Sequence, residues 1–383
     1  MFYFLHNLLR ETLIQAGTYR YVRVLQYVTF RTIFAALTAF VITAYLGPVL
    51  IRILKNRHVR DRDHTTDPAD ITALRQGKKL TPTMGGLLIL LALLVAAGLW
   101  ADLGNYYVRV GLFVILWLGA LGFADDYLKL TRPESDGLKM RTKFLFQIGL
   151  GLLVGYFLWV YACRADAAAI AARGTAADGT KFAPLFSHHL LQMSIFTFIL
   201  MAMVVIVATS NAVNLTDGLD GLAIGCTVIA ALAFTALTYV AGRRDYSEYL
   251  RVPYVVGVEQ LTVMAGALVG AGLGFLWWNC HPAEVFMGDT GSLALGGLIG
   301  YLAVASRSEL LLLIVGGVFV IEAGSVVLQV GSYKLRHGKR VFLRAPYHHH
   351  LQRKGLHENQ ITVRFWILAS LFAAVAMATL KLR

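Results

Sequence analysis

Long apolar runs separated by short polar ones fill almost the whole chain. Ten of them lie at about 29–54, 83–100, 107–124, 144–161, 192–210, 222–240, 258–278, 292–305, 310–331 and 362–380. Most approach the ~20 residues an α-helix needs to cross a hydrocarbon core. The pattern predicts an all-α integral membrane protein, a single polytopic domain over 1–383 built as a bundle of about ten transmembrane helices. The run at 292–305 would rise only about 21 Å, short of a ~30 Å core, so its helix is expected to start below the membrane surface and carry Asp289 inward. Residues 1–19 mix apolar side chains with His6, Arg10 and Glu11 and read as an interfacial helix. The start of the chain has no basic n-region followed by a small-residue cleavage site, so no cleaved signal peptide is expected. Gly266, Gly270 and Gly274, and Gly296 with Gly300, recur at helical spacing and predict close helix packing. The Ala/Gly-rich stretch 165–184 carries no chemical pattern and reads as a variable outer-side loop. An inverted repeat of the kind transporters carry is not apparent.

Composition agrees with the pattern. Hydrophobic residues are 57% of 383 and charged ones 15%, which excludes a soluble chain of two or three domains. The net charge of +13 changes the picture once it is located. Ten spans put both termini on one side. The loops after the first, third and ninth spans then share one face, and they hold Arg57, Arg60, Arg62, Lys78, Lys79, Lys129, Lys139, Arg141, Arg336, Lys339, Arg340 and Arg344. Opposite loops hold fewer basic residues, so the rich face is cytoplasmic by the positive-inside rule. Basic residues interleaved with exposed aromatics on a soluble module are absent, which argues against nucleic acid as a partner. Cys163, Cys226 and Cys280 fall at different depths, so no disulfide and no cysteine metal site are expected.

Five sequence-distant polar stretches open to that same face: Lys78-Lys-Leu-Thr-Pro-Thr-Met-Gly-Gly86, Asp125-Asp126, Asn211 to Asp220, Asn279 to Asp289, and Ala345-Pro-Tyr-His-His-His350. Their convergence predicts an active site on the cytoplasmic face. In the third stretch Asn211, Asn214, Asp217 and Asp220 recur every three residues with Gly218 and Gly221 between them, which reads as a helix end, a tight turn and a helix start. Asp125 and Asp126 close a helix whose C-terminal dipole opposes them, so near a membrane they need a cation or a shared proton. Lys129, at i+4, is a competing partner for Asp125. Asp289 and Asp220 each precede a span and also satisfy an N-cap pattern. Hard carboxylate oxygens with phosphate completing the shell suit Mg²⁺ better than zinc. Consecutive histidines cannot all converge on one ion; beside Arg344, His348 and His349 suit phosphate oxygens as donors. Glu322 is a lone acid in mid-span, with Ser325 and Gln329 following. A functional role and an interhelical hydrogen bond fit it equally.

Taken together with Phe123-Ala-Asp-Asp-Tyr-Leu-Lys129, Pro282-Ala-Glu-Val-Phe-Met-Gly-Asp-Thr-Gly-Ser292, Gly338-Lys-Arg-Val-Phe342 and Val363-Arg-Phe-Trp366, these stretches resemble the phospho-N-acetylmuramoyl-pentapeptide transferases of the polyprenyl-phosphate sugar-1-phosphate transferase superfamily. The likeness covers nearly the whole chain, and Leu80 departs from it where a glycine is expected. It implies transfer of phospho-N-acetylmuramoyl-pentapeptide from its UDP carrier to undecaprenyl phosphate in the bacterial cytoplasmic membrane, giving lipid I and UMP. By matching positions it implies Asp289 as chief Mg²⁺ ligand with Asp125 and Asp126 beside it, and His348 among the catalytic groups. Phe286 would stack on uracil, with Lys78, Gly218, Leu219, Asp220 and Asn279 lining the nucleoside pocket and Thr83 also binding substrate. Asn214, Asp217, Lys129, Lys143, His348 and His349 would position diphosphate or sugar, and Gln329 would border a lipid groove. Relatives also imply a homodimer.

Elementary chemistry points the same way. Both substrates are anionic, one soluble and one lipid, so the site belongs at the inner membrane boundary among cations. Phosphoryl transfer needs mainly positioning and charge neutralisation. Direct attack by lipid phosphate, with Asp125 orienting or deprotonating it, competes with a covalent aspartyl-phosphate. Transfer from UDP-N-acetylglucosamine is the rival within the class, and an ion-coupled transporter the rival outside it.

Overall fold

The computed structural model describes residues 1–15, 19–56, 81–131, 137–173, 181–182 and 191–380. The chain is an all-α integral membrane protein. In chain order its helices begin with three short pieces, α1 (Phe2–Leu8), α2 (Arg10–Gln15) and α3 (Tyr19–Val22). The longer ones follow: α4 (Val28–Asn56), α5 (Gly86–Trp100), α6 (Tyr106–Thr131), α7 (Met140–Arg173), α8 (Ile195–Thr216) and α9 (Leu222–Ala241). After the short α10 (Arg244–Leu250) come α11 (Leu261–Asn279), α12 (Gly288–Ala305), α13 (Glu309–Val315), α14 (Gly317–Leu335), α15 (Tyr347–Arg353) and α16 (Glu358–Thr379). A two-residue pairing of Lys181–Phe182 with Leu191–Gln192 forms the one sheet among the described residues.

Eight helices among the described residues are long and apolar enough to cross a membrane. The other two expected spans are α5, whose 15 residues rise about 22 Å, and α12, which starts at Gly288. Four expectations need correction. The segment 1–19 is broken into short helices instead of one. The span at 310–331 is two helices with a break at Gly316. Helix α7 runs on to Arg173, so the first part of the expected 165–184 loop is helical; its run of alanines is the best helix-forming composition there is. Neither Asp289 nor Asp220 is an N-cap: Met287 and Gly221 hold those positions.

α12 is buried along almost its whole length and forms the centre of the bundle. Small residues let its neighbours approach, as lipid-embedded helices require. On α11, side chains at Gly266, Gly270 and Gly274 would run into Thr32, Ala36 and Thr43, all on α4. Gly296 and Gly300 of α12 lie against Thr209 and Ile206 of α8 in the same way. Buried polar groups tie the helices at defined registers. Gln147 of α7 donates to Ser210 Oγ at 3.3 Å and accepts from Asn211 Nδ2 at 2.8 Å, fixing the end of α8 that leads to the site. At the opposite end of α4, buried Arg31 donates to Gln260 Oε1 at 2.9 Å and to the Trp100 carbonyl at 3.2 Å.

Candidate active site

The described residues of all five polar stretches meet at one end of the bundle. The segment before α5 and the segment before α12 pair like short strands: Phe286 N–H donates to the Pro82 carbonyl, and Gly85 and Gly86 donate to the carbonyls of Phe286 and Met287, each at 2.8 Å. Gly288, at φ +75°, sits where a side chain would press on Asp126 Oδ2 and Thr83 Oγ1, so only glycine lets α12 begin there.

Asp126 accepts from the start of that helix. Its Oδ2 takes Thr290 Oγ1–H at 2.6 Å and Thr290 N–H at 2.9 Å, and its Oδ1 takes Asp289 N–H at 3.2 Å. A carboxylate from α6 thus caps α12 from outside, satisfying amides that a helix leaves without internal partners. The cap aims the Asp289 side chain at Asp125. Asp289 Oδ1 accepts from Asn214 Nδ2 at 2.8 Å, and Asn214 also donates to Ser292 Oγ at 2.8 Å.

Two lysines bridge the remaining oxygens. Lys129 Nζ lies 2.7 Å from Asp125 Oδ2 and 3.2 Å from Asp289 Oδ2; Lys143 Nζ lies 2.8 Å and 2.7 Å from the same atoms. Asp125 Oδ1 takes the Leu138 N–H at 2.7 Å. Lys129 therefore makes the i,i+4 pair its spacing suggested and also reaches a second helix. Asp125, Asp126 and Asp289 offer oxygens that all lie within 4.8 Å of one another. An all-oxygen set of this size suits a hard divalent cation. Two ammonium groups bridging the same pair of carboxylate oxygens show that positive charge is stabilised there.

A second polar group flanks the first. The turn after α8 passes through Asp217, Gly218, half-buried, and Leu219, buried, to Asp220. Asp220 Oδ2 lies 2.9 Å from His281 Nδ1 and accepts from Ala283 N–H at 3.2 Å, while Asp220 N–H donates to Glu358 Oε1 at 2.7 Å. Asn279 braces the same turn, accepting from Gly221 N–H at 3.1 Å and donating to the Val285 carbonyl at 2.8 Å. A cavity of about 250 Å³ opens beside Asp220, His281, Thr362 and Trp366.

The histidine triplet does not act as a unit. It lies on α15, and its rings go three ways: His348 Nδ1 to Glu322 Oε2 at 2.9 Å, His349 Nδ1 to Gln352 Oε1 at 2.8 Å, and His350 Nδ1 accepting from Leu343 N–H at 3.1 Å. Burial, and then Lys354, hold the His350 imidazole below its usual range, which suits a neutral ring accepting a hydrogen bond.

Of the residues singled out in the sequence, Lys78 lies outside the described residues. Phe286 is half-buried beside the carboxylates, with its backbone held on both sides. Gln329 stands apart from them. Its amide accepts from Val341 and Phe342 N–H at 3.0 and 2.9 Å and donates to the Phe342 carbonyl at 3.1 Å, so it fastens the 341–342 loop to α14. Four residues that hold the site together were not singled out: Thr290, Gln147, His281 and Glu358. Thr290 adjoins Asp289 and could have been noticed; the others have no local signal.

The profile of glycosyl transferase family 4 matches residues 108–307. A protein of Pelobacter propionicus named phospho-N-acetylmuramoyl-pentapeptide-transferase is 46% identical over 368 residues, 96% of this chain and 98% of its own. Proteins of the same name from Oleidesulfovibrio alaskensis and Citrifermentans bemidjiense are 44% identical over 94% of this chain and 46% identical over 96%, and these matches cover 95% and 98% of their own lengths.

Proposed function

The chain belongs to the phospho-N-acetylmuramoyl-pentapeptide transferases of glycosyl transferase family 4, and from that premise we propose how its residues carry the transfer. The substrates are UDP-N-acetylmuramoyl-pentapeptide and undecaprenyl phosphate, and the site faces the cytoplasm at the inner membrane. The observation that carries this reading is the meeting of Asp125, Asp126 and Asp289 with Lys129 and Lys143 at the ends of α6 and α12. The neighbouring basic residues Lys139, Arg141, Arg336, Lys339 and Arg340 support the orientation, because positive charge is retained on the cytoplasmic side.

An oxygen of the lipid phosphate forms a bond to the phosphorus that bears the sugar. The bond from that phosphorus to the bridging oxygen breaks, and UMP leaves with that oxygen. Asp289 and Asp125, with Asp126 beside them, would hold Mg²⁺, which neutralises charge on the diphosphate. Lys129 and Lys143 hand their charge from carboxylate to phosphate oxygens as the nucleotide enters. Asn214 keeps Asp289 turned towards Asp125. Phe286, Gly218, Leu219, Asp220 and Asn279, with Lys78 and Thr83, border the nucleoside, and Asp217, His348 and His349 border diphosphate or sugar.

Asp125 Oδ1 accepts the Leu138 N–H and its other oxygen is assigned above to the metal, which supports direct attack by the lipid over a covalent aspartyl-phosphate. Incubation with the UDP substrate alone should leave Asp125 and Asp126 unphosphorylated by mass spectrometry. A trapped phosphoaspartate would refute direct attack.

The deciding assay measures UMP release with undecaprenyl phosphate and each of two carriers, UDP-N-acetylmuramoyl-pentapeptide and UDP-N-acetylglucosamine. Release is expected with the first carrier only. It should fall to background on chelation with EDTA and return on adding Mg²⁺. Release from the second carrier alone would reassign the sugar, and release unaffected by chelation would remove the metal.

A further inference from the structure

Glu322 is fully buried in the middle of α14, where an ionisable side chain is costly unless it has a partner. Both of its oxygens have one, and both partners belong to the same residue. Oε2 lies 2.9 Å from His348 Nδ1, and Oε1 accepts the His348 backbone N–H at 3.2 Å. One carboxylate therefore fixes the ring and the first turn of α15 together, leaving the imidazole a single orientation.

The other ring nitrogen faces the site. His348 Nε2 is buried and has no hydrogen-bond partner among the described residues. It points at Gly218, in the turn between α8 and α9, and any side chain at 218 would collide with it. A buried polar nitrogen without a partner is costly unless something completes it. Here the open direction leads to the turn assigned above to the nucleotide substrate.

We infer that Glu322 is a positioning residue: its carboxylate accepts from His348 Nδ1–H and balances the charge of a doubly protonated ring, whose Nε2–H donates, across Gly218, to an anionic oxygen of the nucleotide substrate. The inference rests on the proposed transferase reading. An acceptor-only carboxylate at Nδ1 fixes which nitrogen is left for the ligand. Glu322 itself touches no substrate. Its effect passes through one ring, as the outer partner of a catalytic or metal-bound histidine acts elsewhere.

The test uses the full-length protein with Glu322→Gln, His348→Asn and the double variant. Glutamine keeps the shape but can donate to Nδ1, so the ring is no longer tied to one protonation pattern. Glu322→Gln should lower kcat for UMP release about 10- to 100-fold, with a smaller change in KM for the UDP substrate. The double variant should be no slower than His348→Asn alone, because both changes disable the same ring. Losses that multiply would overturn the inference, since Glu322 would then act by another route. A second measurement needs no substrate. In ¹⁵N-histidine-labelled protein, the resonance missing from His348→Asn should report a protonated Nδ1, and a bare Nδ1 would overturn the pairing. Wild-type protein that releases no UMP would strike the proposed function itself, and the Nδ1 resonance would still decide the pair.

Discussion

Asp289→Asn abolishes turnover, with UMP release expected to fall at least about 10³-fold while the protein stays folded. The size follows from the charge removed. A divalent cation at a phosphoryl centre supplies several kcal/mol of transition-state stabilisation, and each ~1.4 kcal/mol is tenfold in rate. Asparagine is almost the same shape, yet it cannot satisfy this site. Asp289 Oδ1 already accepts from Asn214, and Oδ2 faces Lys129 and Lys143, so an amide NH₂ in either orientation meets another donor. One mismatched donor costs about 1–3 kcal/mol, too little to unfold a bundle whose centre, α12, is buried along most of its length. The variant should therefore extract from the membrane and unfold within a few degrees of wild type, while binding of Mn²⁺ as a probe for the ion is lost. Wild-type rates of UMP release from Asp289→Asn would remove this residue from the metal-holding set.

The reason a sequence could announce this residue lies in where charge is tolerated. Each of the five polar stretches interrupts or ends an apolar run, and in a membrane protein such placements carry a cost that random drift would not keep. Convergence on one face was legible from loop parity alone. The partners were not. Asp125 and Asp126 are adjacent in sequence and look equivalent, yet Asp125 takes two ammonium groups while Asp126 caps the start of α12. Successive helix residues point about 100° apart, so neighbours in sequence serve different neighbours in space. Glu322 and His348 illustrate the same gap. One sits in a span and the other in a histidine run that suggested donors to phosphate, and only the packing of α14 against α15 joins them.

Hydropathy also blurs backbone detail. The break at Gly316 lies inside an unbroken apolar run, and nothing in a transfer scale distinguishes a bend there from a continuous helix. At Gly317, one residue on, a side chain would strike the ring of Phe372 on α16. That close approach joins distant segments, and a window of adjacent residues cannot contain it.

Gly122→Ala should cost about 10²-fold in UMP release although the atoms nearest the added methyl are all backbone. Gly122 lies on α6 three residues before Asp125, and a side chain there would drive into the Asp289 carbonyl and lie 2.7 Å from Thr290 Cα. The obstacle is backbone, which cannot rotate aside as a side chain would. α12 also has no room to retreat. Asp126 pins its first amides, and on another side Gly86 packs against the Gly291 backbone, where a side chain at 86 would clash as well. Overpacking of this kind costs about 1–3 kcal/mol, and a displacement of about 1 Å at reacting groups costs on the order of 10²-fold. The two penalties have different readouts: unfolding temperature reports the first and kcat the second. Gly149→Ala provides the comparison, because a side chain there would meet nothing within 4 Å. It lies in the interior of α7, where alanine favours the helix by about 0.5–1 kcal/mol. If Gly122→Ala turned over as fast as Gly149→Ala, the close approach of α6 to α12 could not be what sets Asp289 against Asp125, and the spacing of the carboxylates would have to be imposed from elsewhere in the bundle.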